Sequence, residues 1–190
     1  MLSKKAKVLQ TLAGKSFLEH ILSSADAISD KVSIVVGFDK YAVKKEAVTI
    51  LKKAQICEQK NQIGTADAVK TVIEFVDKNE KVLILYGDVP LIRKNTLKKL
   101  FSLNDSISIL TANVSDPTGY GRVLKDSNGL VEEIIEEKDT NDQQKKIKEV
   151  FTGVMVVNGK ILKELIPLIN NNNALKEYYL TDLIGIANSN

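Results

Sequence analysis

Tryptophan is absent from the 190 residues, cysteine occurs once, at Cys57, and histidine once, at His20. A single cysteine excludes an intrachain disulfide and any cysteine metal cluster, so packing has to hold the fold together. A single histidine excludes a multi-histidine metal centre. No charge of one sign dominates: 27 basic residues against 24 acidic ones leave a formal net charge of +3. No Lys/Arg block is interleaved with aromatics either, so nucleic acid is not an expected partner. No apolar run approaches the length of a membrane span and no signal peptide is visible at the start, which makes the membrane no expected partner and the cytoplasm the expected location. What is present is an ordinary globular composition, 44% hydrophobic and 27% charged. The length suffices for one α/β domain with a real core.

The first part of the chain alternates strand and helix patterns. Residues 16–29 place Phe17, Leu18, Ile21, Leu22, Ala25 and Ile28 at helical spacing. A β-branched run at 31–36 predicts a strand ending at Gly37. Residues 41–53 predict a helix with Val43, Ala47, Ile50 and Leu51 inward, and 54–57 a short strand. Helices follow at 65–75 and 95–103, the second with Asn95 as N-cap, separated by a strand at 81–86 and followed by another at 106–113. This rhythm argues for a doubly wound sheet. The rest changes character. A turn-rich loop at 116–122 feeds a strand at 122–125, a tight turn at 126–129 and a return strand at 130–136. Residues 139–148 read as polar helix or loop, 150–158 as a strand and 160–170 as a helix. The asparagine run 170–173 reads as a polar linker, and Glu177-Tyr178-Tyr179-Leu180-Thr181-Asp182 as the opening of a last helix. The expected organisation is one domain, with a first half of about 1–113 and a second of about 114–190.

Five clusters fall at strand ends or loops. In Lys81-Val82-Leu83-Ile84-Leu85-Tyr86-Gly87-Asp88-Val89-Pro90 a continuous apolar run meets Tyr-Gly-Asp. Such runs are buried strands, and open α/β sheets hold ligands at strand carboxyl ends. Asp88 there suits a magnesium ion carrying a phosphate, with Gly87 letting a ligand approach the backbone; the same Asp also reads as a helix N-cap. Gln59, with its paired donor and acceptor, can read a flat base edge. Gly64 and Thr65 offer backbone N–H groups and a hydroxyl at a helix start, or form an ordinary capped loop. Thr118-Gly119-Tyr120-Gly121-Arg122 either lets backbone meet a sugar hydroxyl or is a glycine-rich turn. Glu136 either accepts from sugar hydroxyls or is a solvated strand end. Lys7 reads as a point charge for a phosphate or as a solvated lysine. His20 and Cys57 are given no chemical role.

In order and spacing, these segments resemble one family. The matching stretches are Lys7-Val8-Leu9-Gln10-Thr11-Leu12-Ala13-Gly14-Lys15, Gln59 with Ile63-Gly64-Thr65, Leu85-Tyr86-Gly87-Asp88-Val89-Pro90-Leu91-Ile92, Asp116-Pro117-Thr118-Gly119-Tyr120-Gly121-Arg122 and Glu177 to Asp182. They resemble the uridylyltransferase (N-terminal) domain of the bacterial bifunctional UDP-N-acetylglucosamine pyrophosphorylase/glucosamine-1-phosphate N-acetyltransferase, over nearly the whole chain. The resemblance implies a Rossmann-like nucleotidyltransferase fold, a mixed, mostly parallel sheet flanked by helices. It implies transfer from UTP to N-acetylglucosamine 1-phosphate with Mg2+, releasing pyrophosphate and forming UDP-N-acetylglucosamine, a precursor of peptidoglycan and lipopolysaccharide. By the same resemblance, Asp88 matches the magnesium ligand and Lys7 a lysine facing the nucleotide phosphates, the two catalytic positions. Gln59, Gly64 and Thr65 match uridine-side contacts. Tyr86 and Gly87 match further nucleotide contacts, and Gly121 and Glu136 contacts to the acetylated sugar.

Measured against that family, the chain is expected to be truncated at both ends. Met1 lines up with the methionine ending a Gly-Thr-Arg-Met motif, so the first strand and its glycine-rich loop are expected to be absent, or carried by a separate chain. A second magnesium ligand and the β-helix acetyltransferase domain lie beyond the family's equivalent of Asn190. Phe151 stands where the family has an asparagine that contacts the sugar, and Ala6 where it has a proline. These departures leave two alternatives beside an active or impaired uridylyltransferase: a non-catalytic remnant that binds a nucleotide sugar or partner chain, and a transferase for another hexose 1-phosphate.

Overall fold

The structure is a computed structural model and describes residues 5–189. A short 3-10 turn, Lys7–Leu9, leads into a two-residue hairpin of β1 (Thr11–Leu12) and β2 (Lys15–Ser16). Ala13 and Gly14 turn that hairpin with positive φ at both positions, as a tight hairpin requires. Ser16 then caps α1 (Phe17–Asp26), its Oγ accepting from the Glu19 N–H at 3.0 Å. The chain continues through β3 (Ser33–Val36), α2 (Lys40–Ile50), β4 (Gln55–Glu58), α3 (Thr65–Lys70), β5 (Lys81–Leu85), α4 (Lys94–Ser102) and β6 (Ile107–Asn113). It then forms β7 (Arg122–Lys125), β8 (Val131–Ile135), β9 (Glu149–Asn158), α5 (Gly159–Leu165) and α6 (Asp182–Ser189).

The contacts group these elements into two compact units. One holds the chain through Gln62 together with Leu85–Leu103; the other holds Ile63–Ile84 with the chain from Asn104 on. In the first, β3 and β4 pair in parallel, Ile34 opposite Ile56. Ala6, Leu9, Leu18, Leu22, Ile34, Val36, Val43 and Ala47 form its core. Their helical spacing on α1 and α2 faces the alternate residues of β3.

In the second unit β9 is the organising strand, lying between β5 and β7 in the sheet order and also pairing β6. Val154, Met155, Val156 and Val157 are each at most 2% exposed, so both faces of β9 are covered. β6–β9, β7–β8 and β7–β9 all run antiparallel. The expected mixed α/β fold is present, but not as one mostly parallel sheet: β3–β4 form a separate two-stranded parallel sheet, and the β6–β9, β7–β8 and β7–β9 pairings of the five-stranded sheet are antiparallel. The tight turn at 126–129 forces β7 and β8 to be antiparallel, a contribution the strand–helix rhythm of the first part does not reveal.

Three other expectations shift. Asn95 lies inside the first turn of α4, whose N-cap is Arg93. The 65–75 and 160–170 helices each shorten, with 3-10 turns at Ile73–Phe75 and Ile166–Leu168, the second at Pro167. Residues 177–181 are not helical: α6 begins at Asp182. Asn173 ties Glu177 at both backbone groups, accepting from its N–H at 3.1 Å and donating to its carbonyl at 2.6 Å. Tyr178 next exchanges bonds with Ile63 and Ala66, so its backbone is committed before a helix can start.

Candidate functional site

In the first unit, two residues 81 positions apart meet. The Lys7 ammonium donates to Asp88 Oδ2 at 2.8 Å, with the side chains 56% and 41% exposed. Asp88 sits in a turn after β5, well before α4, so its reading as a helix cap falls away. The 3-10 turn carrying Lys7 lies against this strand end through Val8: a Cβ on Gly87 would sit 2.8 Å from Val8 Cγ1. Gly87 is thus required by a protein neighbour on that face. An ion pair this exposed adds little stability. Its chemical interest is that an ammonium and a carboxylate are held together within reach of solvent and solutes. Among the described residues no group of three or more His, Cys, Asp and Glu is placed to hold a metal. Asp88 still suits magnesium, which is commonly bound by one or two carboxylates, with water and substrate phosphates completing its shell.

Gln59 and Tyr86 belong to the same unit, and both are half-buried. Gln59 follows β4, and its N–H donates to the Val36 carbonyl at 2.9 Å, extending the β3–β4 ladder by one bond. Tyr86 directly follows β5.

Gly64 and Thr65 lie in the second unit, braced by the 178–180 segment. The Tyr178 N–H donates to the Ile63 carbonyl and the Ala66 N–H to the Tyr178 carbonyl, both at 2.8 Å. The Leu180 N–H donates to Thr65 Oγ1 at 2.8 Å. Gly64 has φ +127°, and a Cβ there would stand 2.3 Å from the Tyr178 carbonyl oxygen. The Thr65 hydroxyl, which the sequence offered to an anion, is therefore engaged by the protein itself, as is the neighbouring Ala66 N–H.

The second unit also brings Gly121 and Glu136 together. A Cβ on Gly121 would lie 3.7 Å from Glu136 Oε2 and 3.0 Å from Ile134 Cγ2. Phe151, 6% exposed, donates its N–H to the Gly121 carbonyl at 2.9 Å. Glu136 Oε1 accepts from the Thr181 hydroxyl at 3.0 Å. Burial raises the Glu136 carboxyl above the usual range; the Thr181 bond opposes this, and Asp139 and Glu177 add to it. Asp182 is pushed up to about 6 by burial and then by Glu136, Asp139 and Glu133. The Tyr179 phenol, whose Oη is buried with no hydrogen-bond partner among the described residues, is pushed up to about 12 by burial and the surrounding carboxylates.

Arg122 anchors the loop before β7. It is 1% exposed, with Nη2 on Glu137 Oε2 at 2.6 Å and Nη1 donating to the Tyr120 carbonyl. The Gly119 N–H also donates to Glu137 Oε2, at 3.2 Å. Arg122, Tyr179, Thr181 and Asp182 lie within the matching stretches and Glu137 follows Glu136, but residue type and spacing assign none of them a role. The available signal was the adjacent carboxylate pair Glu136-Glu137, whose members take separate partners, Thr181 and Arg122.

The sequence profile of the MobA-like NTP transferase domain matches residues 2–149. The chain belongs to this family. The matched stretch holds Lys7, Gln59, Gly64, Thr65, Tyr86, Gly87, Asp88, Gly121 and Glu136, and stops short of Phe151 and the 177–182 segment. Among curated relatives, the chain is 47% identical over 189 residues to the "Bifunctional protein GlmU" of Campylobacter jejuni subsp. jejuni serotype O:6, covering 98% of this chain and 43% of the relative. It is 44% identical over 189 residues to the protein of that name from Francisella philomiragia subsp. philomiragia, covering 98% and 41%. It is 43% identical over 192 residues to that from Saccharophagus degradans, covering 100% and 42%. The chain thus spans about two fifths of the length of these relatives. Among solved structures, apo UDP-glucose pyrophosphorylase matches with a TM-score of 0.74 at 15% identity, over 96% of this chain and 78% of that one. A UDP-glucose pyrophosphorylase complexed with UDP-glucose matches with a TM-score of 0.72 at 16% identity, with the same coverage. At that identity the likeness shows the mixed α/β nucleotidyltransferase fold alone.

Proposed function

We propose that the chain is a uridylyltransferase that joins UTP to N-acetylglucosamine 1-phosphate, forming UDP-N-acetylglucosamine and pyrophosphate, in the cytoplasm. The observation that carries this reading is the Lys7–Asp88 pair, 2.8 Å apart, in a chain 47% identical to a bifunctional GlmU protein. In the reaction a phosphate oxygen of the sugar phosphate attacks the α-phosphorus of UTP, and the bond to pyrophosphate breaks. Such transfers need in-line positioning and neutralisation of charge far more than covalent help. Lys7 supplies a fixed positive charge for the nucleotide phosphates. Asp88 would hold magnesium, which when bound neutralises phosphate charge. Gln59, Gly64 and Thr65 serve the uridine side, and Tyr86 and Gly87 the nucleotide. Glu136, beside Gly121, accepts hydrogen bonds from the acetylated sugar. Phe151, buried with its N–H on the Gly121 carbonyl, supports a second reading with the same chemistry and a different hexose 1-phosphate.

Calorimetric titration with UDP-N-acetylglucosamine and Mg2+ tests the assignment. The wild type should bind, and both chelation of the metal and Asp88→Ala should weaken binding by about tenfold, the loss of one charge-mediated contact. Binding indifferent to both changes would remove Asp88 from the site and the reading with it.

A further inference from the structure

The two oxygens of Glu136 have different surroundings. Oε1 accepts from the Thr181 hydroxyl at 3.0 Å, while Oε2 lies on the Gly121 side, 3.7 Å from where a Cβ would stand. Thr181 is fully buried. Its place is set from both directions: the Leu180 N–H is held by Thr65 Oγ1 at 2.8 Å, and the Thr181 carbonyl accepts from the Ile184 N–H at 3.3 Å in the first turn of α6. The hydroxyl therefore has little freedom to follow Glu136; it is Glu136 that is held. We propose that Thr181 is the positioning residue of the sugar subsite, holding Oε1 of Glu136 and so turning Oε2 toward Gly121 as the acceptor for a hydroxyl or amide N–H of the sugar. The inference rests on the proposed sugar role of Glu136.

The electrostatic setting gives this bond its importance. Asp139 from the turn after β8, Glu177 and Tyr179 from the 177–181 segment, and Asp182 from α6 all act on or with Glu136. Glu133 of β8 adds to the field at Asp182. Burial, then Asp139 and Glu177, favour the protonated carboxyl; the Thr181 hydroxyl favours the carboxylate, because it donates to the charged form. A protonated Glu136 would present an O–H where the sugar needs an acceptor.

The test is a 13C carboxyl NMR titration of Glu136, its signal assigned by Glu136→Gln, in wild type, Thr181→Val and Thr181→Ser, with calorimetric binding of UDP-N-acetylglucosamine and of UDP to each. Thr181→Val keeps the side-chain shape and removes the donor, so the Glu136 midpoint should move to higher pH. UDP-N-acetylglucosamine should bind about tenfold more weakly, with the acid-side loss of affinity beginning at higher pH. UDP affinity should not change, and Thr181→Ser should restore both properties. An unchanged Glu136 midpoint in Thr181→Val, or equal losses for UDP and UDP-N-acetylglucosamine, would overturn the proposal. A shifted midpoint in a protein that gains nothing from the sugar moiety would instead overturn the sugar reading of Glu136, leaving Thr181's hold on the carboxylate standing.

Discussion

Gly64→Ala is expected to destabilise the protein by about 4 kcal/mol, combining backbone strain with steric overlap. Gly64 has φ +127° and ψ 172°, a region open essentially to glycine alone. The added methyl would also meet the Tyr178 backbone, at 2.3 Å from its oxygen and 2.6 Å from its nitrogen. Neither atom is the far end of a flexible side chain. Moving them apart strains or breaks the Tyr178–Ile63 and Ala66–Tyr178 bonds, which hold the loop to the 178–180 segment. Gly129→Ala is the control: it shares a positive φ, +81°, but meets nothing within 4 Å among the described residues, so a cost of about 1 kcal/mol is expected from conformation alone. Urea unfolding of the two variants beside wild type reads the difference. Equal costs would mean that the contact with Tyr178 is not tight, and the brace would lose its support.

Glu137→Ala should cost about 3 kcal/mol, because it leaves a buried guanidinium without its carboxylate. The Arg122 side chain is 2% exposed and Glu137 25%. Glu137 also accepts from the Gly119 N–H, so its loss frees the loop ahead of Gly121 as well. The double variant Arg122→Met with Glu137→Leu should recover much of the loss, since two apolar side chains leave no unpaired charge behind. The pair also fixes a pH dependence. The hydrogen bond from Arg122, first, and then the Gly119 N–H and nearby cations hold the folded Glu137 carboxyl below its ordinary value of 4.5, against a smaller opposing effect of burial. The folded pKa is thus lower than the unfolded one. Its stabilisation is complete above the unfolded value and is lost as pH falls through the folded value. Below pH 4.5, stability should fall more steeply in wild type than in Glu137→Ala. Parallel acid limbs would contradict the assignment.

Much of the fold was legible because periodicity and burial agree. The spacing on 16–29 predicts the buried face of α1, and the apolar run at 150–158 is the doubly covered β9. What the sequence hid depends on distant partners. The 177–181 segment has helix-compatible residues, yet its backbone is drawn onto residues 63–66, more than a hundred positions earlier. The tight hairpin at 11–16 escaped notice because it turns on Ala13-Gly14 where Asn-Gly would have announced it. The site divides the same way. Lys7 and Asp88 were marked by residue type and strand-end position, and their meeting at 2.8 Å needs only that the early turn reach the end of β5. The separate partners of Glu136 and Glu137, Thr181 for one and Arg122 for the other, could not be read from adjacent identical residues.

Uridylyl transfer through Asp88 is the activity proposed for this chain. Its most direct test is pyrophosphate release by the purified protein with UTP and Mg2+, comparing N-acetylglucosamine 1-phosphate with other hexose 1-phosphates, in wild type and Asp88→Ala. Turnover should prefer N-acetylglucosamine 1-phosphate and fall by roughly 10²–10³-fold in Asp88→Ala, the scale of losing one group that stabilises transition-state charge. Folded protein without turnover, or turnover that survives Asp88→Ala, would contradict it.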